Sequence, residues 1–198
     1  MKRDRKTVRL RDYDYSQAGG YFVTIYTKDR KCFLGKIVTG RMDLSDVGNI
    51  VNVCWRGIPK HFRNVKLDAW IIMPNHVHGI IMIDEMVGTD YNLSLQLKPQ
   101  IEPRRNRFQR VIPKSLSYMI ATFKSAVSRQ VSKTATRNDF SWQARFYEHI
   151  IRNDKEIFRI REYIQNNPVN WESDRENPLS KNFSLEHSLY WKEVYAAK

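Results

Sequence analysis

The chain has 198 residues, with 34 Lys and Arg against 21 Asp and Glu, a formal charge of +13. At 41% hydrophobic and 12% aromatic residues it can bury a full core as one domain, which excludes a wholly disordered basic protein. No apolar run approaches the ~18 residues of a membrane span, Met1 to Arg11 is charged with no apolar stretch behind it, and Cys32 and Cys54 form neither a metal-ligand spacing nor a disulfide framework. A reducing, cytoplasmic setting without a membrane partner fits these features.

Residues 21–27 are β-branched and aromatic, which predicts a strand. Residues 32–39 and 41–44 flank Gly40 as a short hairpin arm. Asp43 or Ser45 can cap a helix over 46–61, whose Val47, Ile50, Val51, Cys54 and Ile58 recur at helical spacing. Two strands, 65–73 and 76–83, are joined by the turn signal Pro74-Asn75. Residues 86–113 read as a long basic loop. Ser115 opens a helix to about 132, with Leu116, Met119, Ile120, Phe123, Val127 and Val131 as its buried stripe. A short strand over 145–151 precedes a helix from 154 to about 167. Asn153 can cap that helix, Glu156 completes a capping box, and Pro168 ends it. The order strand, helix, strand, strand, helix, strand, helix predicts an α+β, ferredoxin-like (split βαβ) fold: an antiparallel sheet with helices on one face, plus a C-terminal helix bearing Tyr163.

The charge is concentrated. Residues 2–11 carry +5, residues 98–114 carry +5 and residues 124–137 carry +4, so the remainder sums to −1. A near-neutral body with basic stretches points to a polyanion, nucleic acid first; a solvated basic surface is the plainer reading.

His76 and His78 alternate in a predicted strand, so both imidazoles share one face. Two neutral imidazoles can hold one divalent ion, or can be structural histidines bonded to backbone; His-x-His alone leaves both open. On the last helix, with Ile157 at zero and ~100° per residue, Ile160 and Ile164 fall at about 300° and 340°, and Tyr163 and Asn167 at about 240° and 280°. A phenol and an amide therefore sit side by side at the rim of a buried face. Taken singly they also fit a Tyr at the core edge and an Asn at a helix end before Pro.

Taken together, the motifs are more specific. Pro74-Asn75-His76-Val77-His78-Gly79-Ile80-Ile81 resembles the His-hydrophobic-His signature of HUH single-tyrosine transposases. Arg161-Glu162-Tyr163-Ile164-Gln165-Asn166-Asn167-Pro168-Val169 resembles the tyrosine helix of their REP-associated branch. Tyr13-Asp14-Tyr15-Ser16-Gln17 through Ile25, and Trp142-Gln143 followed by Phe146-Tyr147-Glu148-His149-Ile150-Ile151-Arg152, fit the same branch. The resemblance spans about residues 10–171. It implies a catalytic domain over 1–171, with a basic arm (1–20) and a basic loop (86–113), followed by a tail at 172–198.

The resemblance further implies that His76, His78 and Asn167 bind Mg²⁺ or Mn²⁺. Tyr163 would be the nucleophile, and Lys124 a DNA contact. Arg129, Arg104, Arg105 and Arg107, in the basic stretches, join it as expected DNA contacts. The implied activity is metal-dependent cleavage and rejoining of single-stranded or hairpin DNA through a 5′-phosphotyrosine, by a monomer or a homodimer. Histidine-triad nucleotide hydrolases also carry His-x-His but need a third alternate histidine, and position 80 is Ile. The other reading is a non-catalytic structured-DNA or RNA binder derived from a transposase.

Overall fold

A computed structural model describes residues 13–85, 113–134, 139–174 and 176–180. Residues 1–12 of the expected basic arm, nearly all of the basic loop with Arg104, Arg105 and Arg107, and the chain from 181 onward lie outside the described residues.

The elements run in the predicted order. They are β1 (Gly19–Tyr26), a hairpin of β2 (Gly35–Val38) and β3 (Arg41–Leu44), α1 (Asp46–Arg56), α2 (Ile58–His61), β4 (Val65–Met73), β5 (His76–Ile83), α3 (Leu116–Val131), β6 (Tyr147–Ile151) and α4 (Asp154–Asn166). The main sheet has the order β4-β5-β1-β6, and every neighbouring pair is antiparallel. This is the order of a split βαβ fold, with α1 and α3 as the two crossovers.

β1 and β5 are the central strands, so both of their faces are covered. That is why residues 21–25 are all buried and why neither strand shows polar alternation. One face, carrying Tyr21, Val23, Ile25, Val77 and Ile81, packs on α1 and α3 through Val47, Val51, Trp55, Leu116, Met119, Ile120 and Phe123. All six predicted stripe positions of α3 are buried. Gly79 lets this layer close: a Cβ there would lie 2.3 Å from Cζ2 of Trp55, so α1 reaches the histidine strand only because position 79 has no side chain. The opposite face, carrying Phe22 and Ile80, is covered by α4 through Ile160 and Ile164.

Three local features depart from expectation. The single predicted helix over 46–61 is two, α1 capped by the Ser45 hydroxyl and a short α2, because Pro59 offers no N–H to continue the ladder. β4 carries a register shift between Leu67 and Trp70, where the Asp68 carboxylate accepts from the Ala69 N–H. At the start of α4, Asn153 caps the Glu156 N–H as predicted, but the Glu156 carboxylate returns to the Arg152 N–H and also meets Nε2 of His149 at 2.6 Å. His149 therefore ties β6 to the first turn of α4.

A candidate metal and tyrosine site

The pairing of β1 with β5 sets Thr24 opposite His78 and Tyr26 opposite His76, all on the face that α4 covers. Both histidines are buried. Their Nε2 atoms face each other at 2.9 Å. Nδ1 of His76 lies 2.7 Å from the Asn75 side-chain oxygen, and Nδ1 of His78 lies 2.9 Å from the Thr24 hydroxyl. Each imidazole is thus gripped on its outer nitrogen, with its inner nitrogen turned toward its neighbour. The aromatic surroundings are close. Phe22 stacks on His78 with centroids 5.4 Å apart, and Tyr26 and Trp171 flank His76 at 5.4 and 6.0 Å.

α4 brings Tyr163 to this pair. The Tyr163 hydroxyl is 3.2 Å from Nε2 of His78, and the two rings meet edge to face at 5.2 Å. The helix is held on the sheet by its apolar stripe and by Arg161, which donates from Nε and Nη2 to the two carboxylate oxygens of Asp68 at 2.8 and 2.6 Å. The tyrosine and the histidines therefore meet within one chain.

Asn167 follows one helical turn after Tyr163. Pro168 disfavours helical geometry in the residue before it, yet Asn167 keeps φ −57° and ψ −42°. The helix ends because Pro168 lacks an N–H, and Asn167 stays on the helical path that began at Tyr163. It is 1% exposed, and neither its side-chain oxygen nor its nitrogen has a hydrogen-bond partner among the described residues. A buried amide in that state costs about 1–3 kcal/mol. Along the chain it falls between Tyr163, which touches His78, and Trp171, which packs on His76. No group of three or more His, Cys, Asp or Glu side chains able to hold a metal occurs among the described residues. A third protein ligand beside the two imidazoles would have to be of another type, and an unsatisfied buried amide oxygen has the right chemistry.

No family model matches the chain. An uncharacterized protein of Haemophilus influenzae is 42% identical over 171 residues, covering 86% of this chain and 92% of that protein. The chain belongs to that protein's family. A second protein of the same organism, described as "Putative REP-associated tyrosine transposase", is 28% identical over 79% of this chain and 73% of its own length. Among solved structures, a REP-associated tyrosine transposase bound to a REP hairpin superposes with a TM-score of 0.54 at 20% identity, covering 83% of this chain and 74% of that one. This last likeness is one of fold. Sequence similarity to a REP-associated tyrosine transposase is present but weak.

Family membership leaves the expected DNA contacts to be judged on geometry. Arg129 is exposed on α3. Lys124 is turned inward: its Nζ donates to the carbonyl oxygens of Gln143 and Arg145 at 2.8 and 3.2 Å, and burial pushes its pKa down to about 8. It ties α3 to the segment entering β6. No helix among the described residues is long and apolar enough to cross a membrane.

Two supporting residues were not singled out by motif reading. The sequence places Asn75 in the turn and in the His-hydrophobic-His segment, and Thr24 in the first strand, without giving either a role of its own. The strand pairing carries the signal for Thr24, since a hydroxyl opposite a histidine on a buried face needs a partner. Asn75 shows its role only through contacts made with residues 30 and 176, far away in sequence.

Proposed function

We propose that this chain is a metal-dependent single-stranded DNA endonuclease and strand transferase, acting on hairpin or palindromic repeat DNA through a 5′-phosphotyrosine at Tyr163. The observation that carries the reading is the Tyr163 hydroxyl at 3.2 Å from His78, beside two imidazoles whose inner nitrogens face each other. The similarity to a REP-associated tyrosine transposase and the hairpin bound by the structural relative support the same substrate class.

In this reading His76, His78 and Asn167 hold Mg²⁺ or Mn²⁺, which when bound draws charge from a phosphate oxygen and favours ionisation of a phenol whose unperturbed pKa is ~10. The chain's own residues do the rest. Thr24 and Asn75 orient the two imidazoles. Phe22 and His78 fix the phenol ring, and α4 stays docked through Arg161 and Asp68. The Tyr163 oxygen, its proton released to solvent, attacks phosphorus. A phosphorus–phenol oxygen bond forms and the bond to the 3′ oxygen breaks, leaving a 3′-hydroxyl after protonation and the 5′ end on tyrosine. Because the new ester keeps the energy of the old one, another 3′-hydroxyl can reverse the step and join strands. Arg129 and the basic stretches 98–114 and 2–11 would follow the DNA backbone, in the cytoplasm, with residues 1–171 as the catalytic domain and 172–198 as a tail. In this reading one chain supplies the histidines and the tyrosine, and the active unit is a monomer or a homodimer.

The test is incubation of the full chain with single-stranded hairpin DNA and Mn²⁺, followed by a denaturing gel. A protein–DNA adduct that forms with the native chain and disappears in Tyr163→Phe is expected. No adduct with repeats from its own genome, or an adduct that persists in Tyr163→Phe, overturns the reading. A binder without cleavage would instead show salt-sensitive binding indifferent to EDTA and to His76→Ala.

A further inference from the structure

We propose that Asn75 is a positioning residue that fixes the tautomer of His76, acting through a relay that starts at the backbone carbonyls of Arg30 and Glu176. The proposal rests on the reading of His76 as a ligand and adds to it a residue that selects which nitrogen is available.

The argument begins with the orientation of the Asn75 amide. One end of that side chain lies 3.2 Å from the carbonyl oxygen of Arg30 and 2.7 Å from that of Glu176. Two carbonyls only accept, so the end facing them is the NH₂, which has two hydrogens to give. The end facing His76 is then the amide oxygen, also an acceptor, at 2.7 Å from Nδ1. A hydrogen must therefore sit on Nδ1 of His76. In the neutral ring that leaves the lone pair on Nε2, the atom turned toward His78.

The rest of the turn is held with equal care. The Asn75 backbone carbonyl accepts from both the N–H and the hydroxyl of Thr27, and the Pro74 carbonyl accepts from the Leu34 N–H. The two carbonyls that orient the amide are themselves fixed. Arg30 is left-handed at φ 54°, following Asp29 at φ 55°, a conformation that costs a non-glycine residue roughly 1 kcal/mol or more and that aims the Arg30 carbonyl at Asn75. Glu176 is presented by a bend in which its N–H bonds to the Asp174 carboxylate and the Asp174 N–H bonds to the Trp171 carbonyl. An ion pair between the Arg30 guanidinium and the buried Glu176 carboxylate joins the two residues whose carbonyls accept from Asn75.

His78 is treated differently. Its Nδ1 faces a hydroxyl, which can either donate or accept. In the metal-free chain the Thr24 hydroxyl can donate to Nδ1, letting His78 give its Nε2 hydrogen to His76. Rotation of that hydroxyl, so that it accepts from Nδ1 instead, frees the His78 Nε2 lone pair. His76 is thus the fixed partner and His78 the adjustable one.

The experiment uses the full chain labelled with ¹⁵N-histidine and records long-range ¹H–¹⁵N spectra of the ring nitrogens without metal, assigned by comparison with His76→Ala. Mn²⁺ affinity is measured in parallel by calorimetry. The native His76 should show hydrogen on Nδ1. Asn75→Ala should lose that preference and weaken Mn²⁺ binding about ten- to a hundredfold, the usual effect of removing the partner that orients a ligand histidine. Asn75→Asp keeps an acceptor toward Nδ1, so it should retain the hydrogen there, but its other oxygen meets the Arg30 and Glu176 carbonyls to which the NH₂ donated, so Mn²⁺ binding should still weaken. A native His76 with its hydrogen on Nε2, native-like binding by Asn75→Ala, or native-like binding by Asn75→Asp each overturns the proposal. If Asn75→Ala does not fold, the native and Asn75→Asp spectra decide. If the native chain binds no Mn²⁺, the proposed function loses its metal, while the native and Asn75→Ala spectra still decide the relay.

Discussion

Arg161 lies in a fork against Asp68, two charge-assisted bonds that fasten the helix carrying Tyr163 to the edge strand β4. The irregularity in β4 is what presents the carboxylate, which also accepts from the Ala69 N–H. Without this clamp, α4 would be held on the sheet by its apolar stripe around Ile160 and Ile164 and by the contact of Glu156 with His149 at its first turn. Because both side chains are partly exposed, Asp68→Asn should cost only about 1 kcal/mol in a denaturant titration. The larger expected effect is on any adduct formed by Tyr163, since a small shift of α4 moves the hydroxyl off His78.

The same pair gives a pH dependence. Hydrogen bonds from Arg161 hold the Asp68 carboxyl below its ordinary value of 3.8. A carboxyl with a depressed folded pKa binds fewer protons folded than unfolded, so its contribution is fully present above the unfolded value. It is lost as pH falls through the folded one. Native protein and Asp68→Asn should therefore differ in stability at neutral pH and converge in acid, as read by urea midpoints across that range. A constant gap would show that the carboxylate charge is irrelevant.

Much of the fold was legible because its signals are local. The α3 stripe, the Ser45, Ser115 and Asn153 caps and the Pro74-Asn75 turn are all set by residues within a few positions of each other. The same holds for the shared face of His76 and His78, which follows from the two-residue period of a strand. Asn75 and Thr24 act through partners brought close only by tertiary packing, so no spacing announces them. Lys124 is another residue whose contacts are set by packing. The resemblance implies a DNA contact there, and in the DNA-free chain the fold turns its ammonium onto two carbonyls that no local spacing announces.

That difference separates Lys124 from Arg129 experimentally. Arg129→Ala should weaken DNA binding and reduce the slope of log affinity against log salt by about one, as expected when one phosphate contact is lost. Lys124→Ala should leave that slope unchanged and instead lower the melting temperature, because the segment entering β6 loses its tie. A reduced slope in Lys124→Ala would place its ammonium on the phosphate backbone.

Thr24→Val replaces the hydroxyl facing Nδ1 of His78 with a methyl group of similar volume. The strand pairing and the contact with Phe22 on the same face should survive, so the fold should persist at a cost of about 1–3 kcal/mol for the bond lost by a buried ring nitrogen. Mn²⁺ affinity should fall by roughly tenfold or more, since the imidazole is no longer held in one orientation. Calorimetry on Thr24→Val and Thr24→Ser distinguishes the two effects: Ser restores the hydroxyl and should recover affinity even though it packs less well in the strand.

Asn167→Leu should trade function for stability. The native amide is buried with both polar atoms unpartnered among the described residues, a state that costs about 1–3 kcal/mol. Leucine has a similar volume and no polar atoms, so the variant should unfold at a higher denaturant concentration than the native chain. If the amide is retained for a ligand, the same variant should bind Mn²⁺ at least tenfold more weakly and give little adduct with hairpin DNA. Tyr163→Phe is the matched control: it removes the nucleophile but leaves the amide and both imidazoles, so its Mn²⁺ affinity should remain close to native. A stabilised Asn167→Leu that still binds Mn²⁺ as the native chain does would remove Asn167 from the ligand set and leave its burial without a functional reason.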